Sequence, residues 1–128
     1  MKENISYGVI PISDDQQVLI LQNVNGMWGF PIGHREGNES SVETALRELK
    51  EETSIIDITL DESKIYKEES IIGDGKRIIY FYVGYVKNRA VRIDEQENID
   101  FKWVPFNSVD ANISYPSTVA LFKSIFYD

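Results

Sequence analysis

Glutamates between positions 33 and 55 are the residues of this chain best suited to chemistry; the segment reads GHREGNESSVETALRELKEETSI. Glu48, Glu51 and Glu52 stand at i, i+3 and i+4, so on a helix they share one face and repel one another. A hard cation such as Mg²⁺ prefers carboxylate oxygens and would offset this repulsion. The spacing therefore indicates a divalent-metal site. The alternative is a solvated helix face, on which Arg47 makes a surface ion pair worth less than about 1 kcal/mol.

A helix over residues 40–53 is predicted to hold these carboxylates. Ser40 and Glu43 have the spacing of a capping box, in which each side chain bonds the other residue's backbone N–H. Four apolar residues recur on one face at about 100° per residue and are expected to pack on a sheet. They are Val42, Ala45, Leu46 and Leu49.

The order and gaps of Gly33, Glu39, Arg47-Glu48-Leu49 and Glu51-Glu52 resemble the signature box of the Nudix (MutT-like) family. Members of that family cleave nucleoside diphosphates linked to another group. The resemblance implies a divalent cofactor, Mg²⁺, for which Mn²⁺ can substitute. It also implies metal ligands among four glutamates and two backbone carbonyls, which are Glu39, Glu48, Glu51, Glu52 and the carbonyls of Ile32 and Gly33.

Catalytic roles also follow from the resemblance. Arg47 matches an arginine that orients a glutamate by ion pairing, and Glu51 and Glu52 match glutamates that take part in the reaction. Ser54 stands where the family box has glycine. The helix is therefore expected to end without glycine's ease at positive φ.

The segments beside the box resemble one branch of the family, the asymmetric dinucleoside tetraphosphate hydrolases. Residues 28–34, WGFPIGH, are similar to its W-x-F-P-K-G-H stretch, and residues 97–103, ENIDFKW, to its E-H-x-x-x-[RK]-W segment. On this resemblance Glu97 is a further metal ligand or the general base, and Asn98 replaces a histidine.

Six residues are expected to contact substrate, namely His34, Lys76, Arg77, Tyr80, Tyr82 and Tyr115. The cations would meet phosphates, and the tyrosines would offer flat surfaces for a base. Each also has an ordinary interpretation. The histidine can bond within its loop, the Lys–Arg pair can be solvated beside a turn, and the tyrosines can belong to the core.

The expected reaction is metal-assisted attack of water on a phosphoanhydride, with Glu97 or a box glutamate taking the proton. A dinucleoside polyphosphate is the first expected substrate. A (deoxy)nucleoside triphosphate, an ADP-sugar and the 5′ triphosphate end of RNA are alternatives within the same chemistry. A Nudix-fold module that binds a ligand without catalysis is the alternative from a different class.

Composition sets the remaining expectations. The 128 residues are predicted to form a single domain, 1–128, with a net charge of −8 that disfavours long nucleic acids. The chain has no cysteine and one histidine, which excludes thiolate sites and sites with two imidazoles. It lacks an apolar stretch of membrane-spanning length and a signal-peptide core, so a cytoplasmic location is expected. The expected partners are a small nucleotide and, for a homodimer, a second copy; a monomer is equally compatible.

The predicted fold is α/β, a Nudix-type α/β/α sandwich with a mixed central β-sheet. Alternating and β-branched segments predict strands over residues 5–12, 17–22, 55–60, 63–72, 76–87 and 101–104. A closing helix is predicted over residues 116–127, with proline near its first turn.

Overall fold

A computed structural model describes residues 2–127 of the chain. Within this range the strands are β1 (Lys2–Ser13), β2 (Gln17–Asn23), β3 (Trp28–Gly29), β4 (Ile32–Gly33), β5 (Ile58–Leu60), β6 (Tyr66–Ile72), β7 (Gly75–Val86) and β8 (Asn98–Pro105). The helices are α1 (Ser41–Thr53), α2 (Val109–Asn112) and α3 (Pro116–Phe126), with a 3₁₀ turn at Phe106–Ser108 before α2.

The sheet is mixed, as predicted. β1 runs parallel to β7 over its whole length, and β5 and β6 add to β7 in antiparallel fashion. β2 forms a second antiparallel group with β3 and β8. The two groups join where Ile12 pairs with Val18, next to the turn between β1 and β2. β4 pairs with β1 at Tyr7 and Gly8, which places the start of the glutamate segment at the middle of the sheet.

Apolar side chains cover both faces of the sheet. One cluster lies under α1 and includes Val9, Leu19, Leu21, Ala45, Leu49, Tyr82 and Val86. The other lies on the α3 side and includes Ile10, Ile20, Phe30, Ile79, Phe81, Val119 and Phe122. A sheet with helices on both faces confirms the predicted α/β/α class.

The buried face of α1 differs from the predicted one. Ala45 and Leu49 are fully buried and Val42 packs at the edge, as expected, but Leu46 is only partly buried. Glu52, which was expected on the polar face, is buried, with 7% of its surface exposed. The helix is therefore rotated so that one glutamate points inward.

Several bounds differ from the predictions as well. β1 begins at Lys2, β8 begins at Asn98, and the strand expected over residues 55–60 is limited to Ile58–Leu60. The sequence did not predict α2. No helix in the part of the chain that the structure describes combines the length and apolar character needed to cross a bilayer.

Local chemistry explains both ends of α1. Ser40 Oγ accepts from Glu43 N at 3.1 Å, and Glu43 Oε1 accepts from Ser40 N at 2.8 Å, which confirms the capping box. At the other end Ser54 adopts the left-handed conformation, with φ of 65°, and its N–H donates to Lys50 O. A β-carbon is unfavourable in that conformation.

We expect Ser54→Gly to raise the free energy of unfolding by about 0.5–1 kcal/mol, because glycine accepts positive φ without steric cost. The gain is reduced by loss of the hydrogen bond from Ser54 Oγ to Arg92 O, 3.2 Å long. Ser54→Ala keeps the β-carbon and loses the hydroxyl, so it should be less stable than the wild type. Urea unfolding of the three proteins measures this order. A glycine variant no more stable than the alanine variant would contradict the explanation.

Candidate active site

Arg47 is the centre of the acidic cluster. Its Nε donates to Glu39 Oε2 at 2.6 Å, and its Nη1 donates to Glu48 Oε1 at 2.9 Å and to both oxygens of Glu51 at 3.0 Å. Its Nη2 donates to the backbone oxygen of His34 at 2.8 Å. Hydrogen bonds to Glu39 and then to the other carboxylates raise the pKa of Arg47 above its ordinary value. Arg47 therefore binds Glu39 before the helix, Glu48 and Glu51 on the helix, and the backbone of the loop that precedes it.

Glu39 acts through Arg47. Its Oε1 accepts from Glu36 N at 2.9 Å and from Thr44 Oγ1 at 3.1 Å, while Oε2 accepts from Arg47. The Arg47 hydrogen bond, aided by the Glu36 N–H, lowers the pKa of Glu39 to about 2. Both oxygens already bond protein donors. These contacts fix the orientation of Arg47, and the role of Glu39 as a direct metal ligand stays a prediction.

Gly33 leaves the space that Glu48 fills. A Cβ built on Gly33 would lie 1.9 Å from Glu48 Cδ, so any larger residue would displace that carboxylate. β4 holds Gly33 in position through its pairing with Tyr7 of β1. Burial raises the pKa of Glu48, and the Arg47 hydrogen bond opposes the shift. The structure thus gives Gly33 a steric role; the predicted ligation by the Ile32 or Gly33 carbonyl stays a prediction.

Glu52 is the buried member of the cluster. Its Oε2 is enclosed and has no hydrogen-bond partner, and the same holds for Nδ2 of Asn98. Burial, and next the charge of Glu48, raise the pKa of Glu52 to about 9, with further contributions from Glu97 and Glu51 and an opposing one from Asn98. A buried carboxylate without a partner is costly unless a cation or a proton neutralises it.

The donor set at this position fits a hard divalent cation. Within residues 2–127 no three acidic or histidine side chains already converge as a closed metal site. Glu48 and Glu51 both bond Arg47 Nη1, so the glutamates share one side of α1 as expected, but Glu51 is half exposed and Glu52 is buried. Glu52, with its partnerless oxygen, and Glu48, which uses one oxygen for Arg47, are the inward carboxylates. Mg²⁺ in proteins needs only one or two carboxylates and completes its shell with water and phosphate oxygens.

Burial is the main cause of the raised pKa of Glu48 and of Glu52, and the negative charge of Glu97 adds to both shifts. The preceding loop docks on the end of α1, where Asp94 N donates to Glu52 O at 3.3 Å. Glu97 N in turn donates to Asp94 O at 3.1 Å. The Glu97 side chain is exposed, so it meets solvent at the rim of the site.

A cavity of about 100 Å³ opens beside Glu52, and Asn98 lies on the same wall. Gly29, Arg77 and Tyr115 also line it. The Arg77 guanidinium lies over the Tyr115 ring, 4.6 Å from its centroid. Two of the predicted substrate residues, Arg77 and Tyr115, therefore share a cavity with a predicted metal ligand.

His34 and Lys76 line a second recess of about 510 Å³, which Arg77 also borders. His34 Nε2 is 2.8 Å from Asn4 Oδ1 on β1, so this histidine bonds a distant strand and not a residue of its own loop. Lys76 Nζ is 3.4 Å from Glu69 Oε2. With Lys2, four basic residues line this recess, together with the acidic Glu3.

The two tyrosines of β7 that were predicted to stack on a base, Tyr80 and Tyr82, lie in different environments. Tyr82 is 6% exposed and belongs to the core under α1, so its ring offers no open platform for a base, and that prediction is wrong. Tyr80 is half-buried and stacks on Tyr7 at a centroid distance of 5.6 Å. Arg35, another cation of the Gly33 loop, covers Tyr7 and donates to its hydroxyl at 2.9 Å.

Two further residues near the site had no functional role predicted from the sequence. Asn98 was identified only as the replacement of a family histidine, yet it is buried and lines the cavity beside Glu52. Glu68 is buried on β6, and an acidic residue in the alternating pattern of that strand was the available signal.

Comparison with known proteins agrees with this geometry. The NUDIX domain family model matches residues 2–122. A mouse protein, bis(5′-nucleosyl)-tetraphosphatase (asymmetrical), is 30% identical over 103 residues, which is 75% of this chain and 70% of that protein. A C. elegans Ap4A hydrolase binary complex superposes with a TM-score of 0.86 at 19% identity over 94% of this chain and 93% of the other. The MutT protein of Methanosarcina mazei Go1 gives 0.81 at 23% identity over 96% and 92%. The two structural likenesses concern the fold.

Replacing Glu52 tests the cost of its buried carboxyl. The folded-state pKa of about 9 lies above the ordinary 4.5, so metal-free wild type loses stability as pH rises between these values. Glutamine does not titrate. We expect Glu52→Gln to be more stable than wild type by about 1–3 kcal/mol near pH 8, with the difference closing toward about pH 5.

Urea unfolding in a chelator, at several pH values, measures this difference. Glu51→Gln is the matched control, because Glu51 is half exposed and bonds Arg47, and it should show no comparable gain. The assignment of a buried, titrating carboxyl to Glu52 would be contradicted if Glu52→Gln were less stable than wild type near neutral pH. It would also be contradicted if the stability difference between the two proteins did not change with pH.

Proposed function

This chain belongs to the Nudix family and is a pyrophosphohydrolase, and we propose that it hydrolyses a dinucleoside polyphosphate with Mg²⁺ as cofactor. The observation that carries the proposal is the buried carboxyl of Glu52, whose Oε2 has no hydrogen-bond partner, in a residue that lines a cavity together with Arg77 and Tyr115. One wall suits a cation and the other suits an anionic, aromatic ligand.

Glu52 and Glu48 would hold the cation in this proposal, with Glu51 joining if it leaves Arg47. Mn²⁺ presents a similar preference for oxygen ligands and would substitute. A divalent ion at this position supplies positive charge that offsets the developing charge on the phosphate oxygens. This also accounts for a phosphate substrate on a chain with a net charge of −8.

The protein's own residues perform the remaining tasks. Arg47 Nη1 bonds both Glu48 and Glu51, so it fixes the orientations of these two carboxylates and offsets their mutual repulsion. Glu97 lies at the rim near Glu48 and Glu52 and is open to solvent, so it can take a proton from the attacking water and release it to bulk. Arg77 binds a phosphate oxygen from the opposite wall.

The two recesses, both bordered by Arg77, support a substrate with an extended chain of phosphates. The cavity of about 100 Å³ contains Tyr115 and Arg77, and the recess of about 510 Å³ contains His34 and Lys76. The smaller cavity has room for phosphate groups beside Arg77, and the larger recess has room for a nucleoside. The mouse relative, whose name describes cleavage of bis(5′-nucleosyl) tetraphosphates, supports a dinucleoside polyphosphate over a single-nucleoside substrate.

Product analysis tests the proposal. Purified protein is incubated with diadenosine tetraphosphate, dGTP and ADP-ribose, each with Mg²⁺, Mn²⁺ or a chelator, and products are separated by chromatography. We expect ATP plus AMP from the tetraphosphate, the highest kcat/KM for that substrate, and no turnover in chelator. Glu52→Gln is the inactive control, since it removes the inner carboxylate.

Two outcomes would contradict the proposal. Preferred release of diphosphate from dGTP, or cleavage of ADP-ribose alone, would assign the site to the other substrate classes. Nucleotide binding without turnover under any metal condition would make the chain a ligand-binding module.

A further inference from the structure

A buried carboxylate lies directly behind the substrate wall of the cavity. Glu68 of β6 is 3% exposed, and nothing in the proposed reaction uses it. Its Oε1 accepts from Thr118 Oγ1 at 2.6 Å, and its Oε2 accepts from Ser117 Oγ at 3.1 Å. Both hydroxyls belong to the first turn of α3, where the partial positive charge of a helix N-terminus also favours an anion. Glu68 therefore ties β6 to the start of α3.

The same carboxylate faces Arg77. Arg77 Nη1 lies 3.7 Å from Glu68 Oε2, and its side chain is 17% exposed, against 2% for the side chain of Glu68. A pair this enclosed is screened less by solvent than a surface pair. The guanidinium is thus held from behind by Glu68 while it covers the Tyr115 ring in front.

Tyr115 is linked to Glu68 by a second route. It is the N-cap residue of α3, and its backbone oxygen accepts from Thr118 N and Val119 N at 3.1 Å. Its own side chain makes no capping bond. Because Glu68 binds the hydroxyls of that turn, it fixes the backbone that carries the tyrosine as well as the cation stacked on it.

We propose that Glu68 is a positioning residue for substrate binding, which holds Arg77 against Tyr115 so that the pair forms the cavity wall opposite Glu52. The inference rests on the proposed function, because it assigns this wall to the nucleotide. Without the carboxylate, the long Arg77 side chain regains rotational freedom and must be ordered again when substrate binds. Arg77 and Tyr115 contact the bound substrate rather than the reacting water, so the loss falls on binding.

Steady-state kinetics with diadenosine tetraphosphate, well below the unfolding temperature, test this role. We expect Glu68→Gln to raise KM about ten-fold while kcat stays within about two-fold, because the variant loses the enclosed ion pair with Arg77. Glu68→Asp keeps the buried charge on a shorter side chain and should give an intermediate KM. Asp110→Asn is the matched control, because it removes an exposed carboxylate of α2 that pairs with Lys123 of α3 at 2.8 Å. Wild-type KM values in both Glu68 variants would overturn the inference.

A double-mutant comparison separates positioning from general loss of structure. If Glu68 acts through Arg77, adding Glu68→Gln to the Arg77→Ala variant should raise KM little further. The double variant also lacks the Glu68 charge, which the Arg77→Ala variant leaves without its cation. A rise as large as in the wild-type background would overturn the role of Arg77.

Calorimetric titration with α,β-methylene-ATP and Mg²⁺ gives a readout without turnover. We expect Glu68→Gln to weaken binding of the analogue by the same factor as KM. Wild type that binds the analogue but hydrolyses no nucleotide would overturn the proposed function and leave the Glu68 comparison intact. Equal affinities in wild type and Glu68→Gln would overturn the inference whether or not the enzyme turns over.

Discussion

The arrangement of this site depends on one carboxyl that is buried among like charges. Glu52 is enclosed, its Oε2 has no partner, and the charges of Glu48, Glu51 and Glu97 all oppose its ionisation. Arg47 compensates the outer carboxylates but makes no hydrogen bond to Glu52 among the described residues. The fixed positive charge of Arg47 therefore lies on the outer carboxylates, and the proposed function assigns the neutralisation of the innermost one to a divalent cation.

The division of the sheet explains why this oxygen faces a cavity. β1 and β2 are joined near their turn, and then belong to different groups of strands. α1 covers one face and brings Glu52 to the cavity, while β7 and the start of α3 bring Arg77 and Tyr115 to the opposite wall. α1, β7 and α3 therefore contribute residues both to the two apolar clusters and to the lining of this cavity.

Spacing along one helix made part of this predictable. The capping box, the glutamate pattern and the ion-pairing role of Arg47 are local features, and the structure contains the first two as predicted and an Arg47 ion-pair network consistent with the third. Helical periodicity could not show that Glu52, and not Leu46, completes the buried face. That choice depends on the loop before β8, which docks on the end of α1 from about forty residues away.

Long-range packing also determines the environments of Tyr82 and Glu68, which the sequence did not predict. Tyr82 was a plausible base platform, but α1 covers that face of β7 and buries the ring. Glu68 had no local sign of a partner, because the hydroxyls and the guanidinium that satisfy it come from α3 and from the neighbouring strand. Alternation along a strand identifies its two faces, but only the tertiary arrangement identifies which face meets the cavity.

Anomalous diffraction from a crystal soaked in manganese tests the central claim most directly. The account predicts a peak at coordination distance, about 2.2 Å, from Glu52 Oε2, with an oxygen of Glu48 also bound. A map in which the carboxyls are open to solvent channels, and manganese is absent from Glu52 or lies only at exposed glutamates, would contradict it.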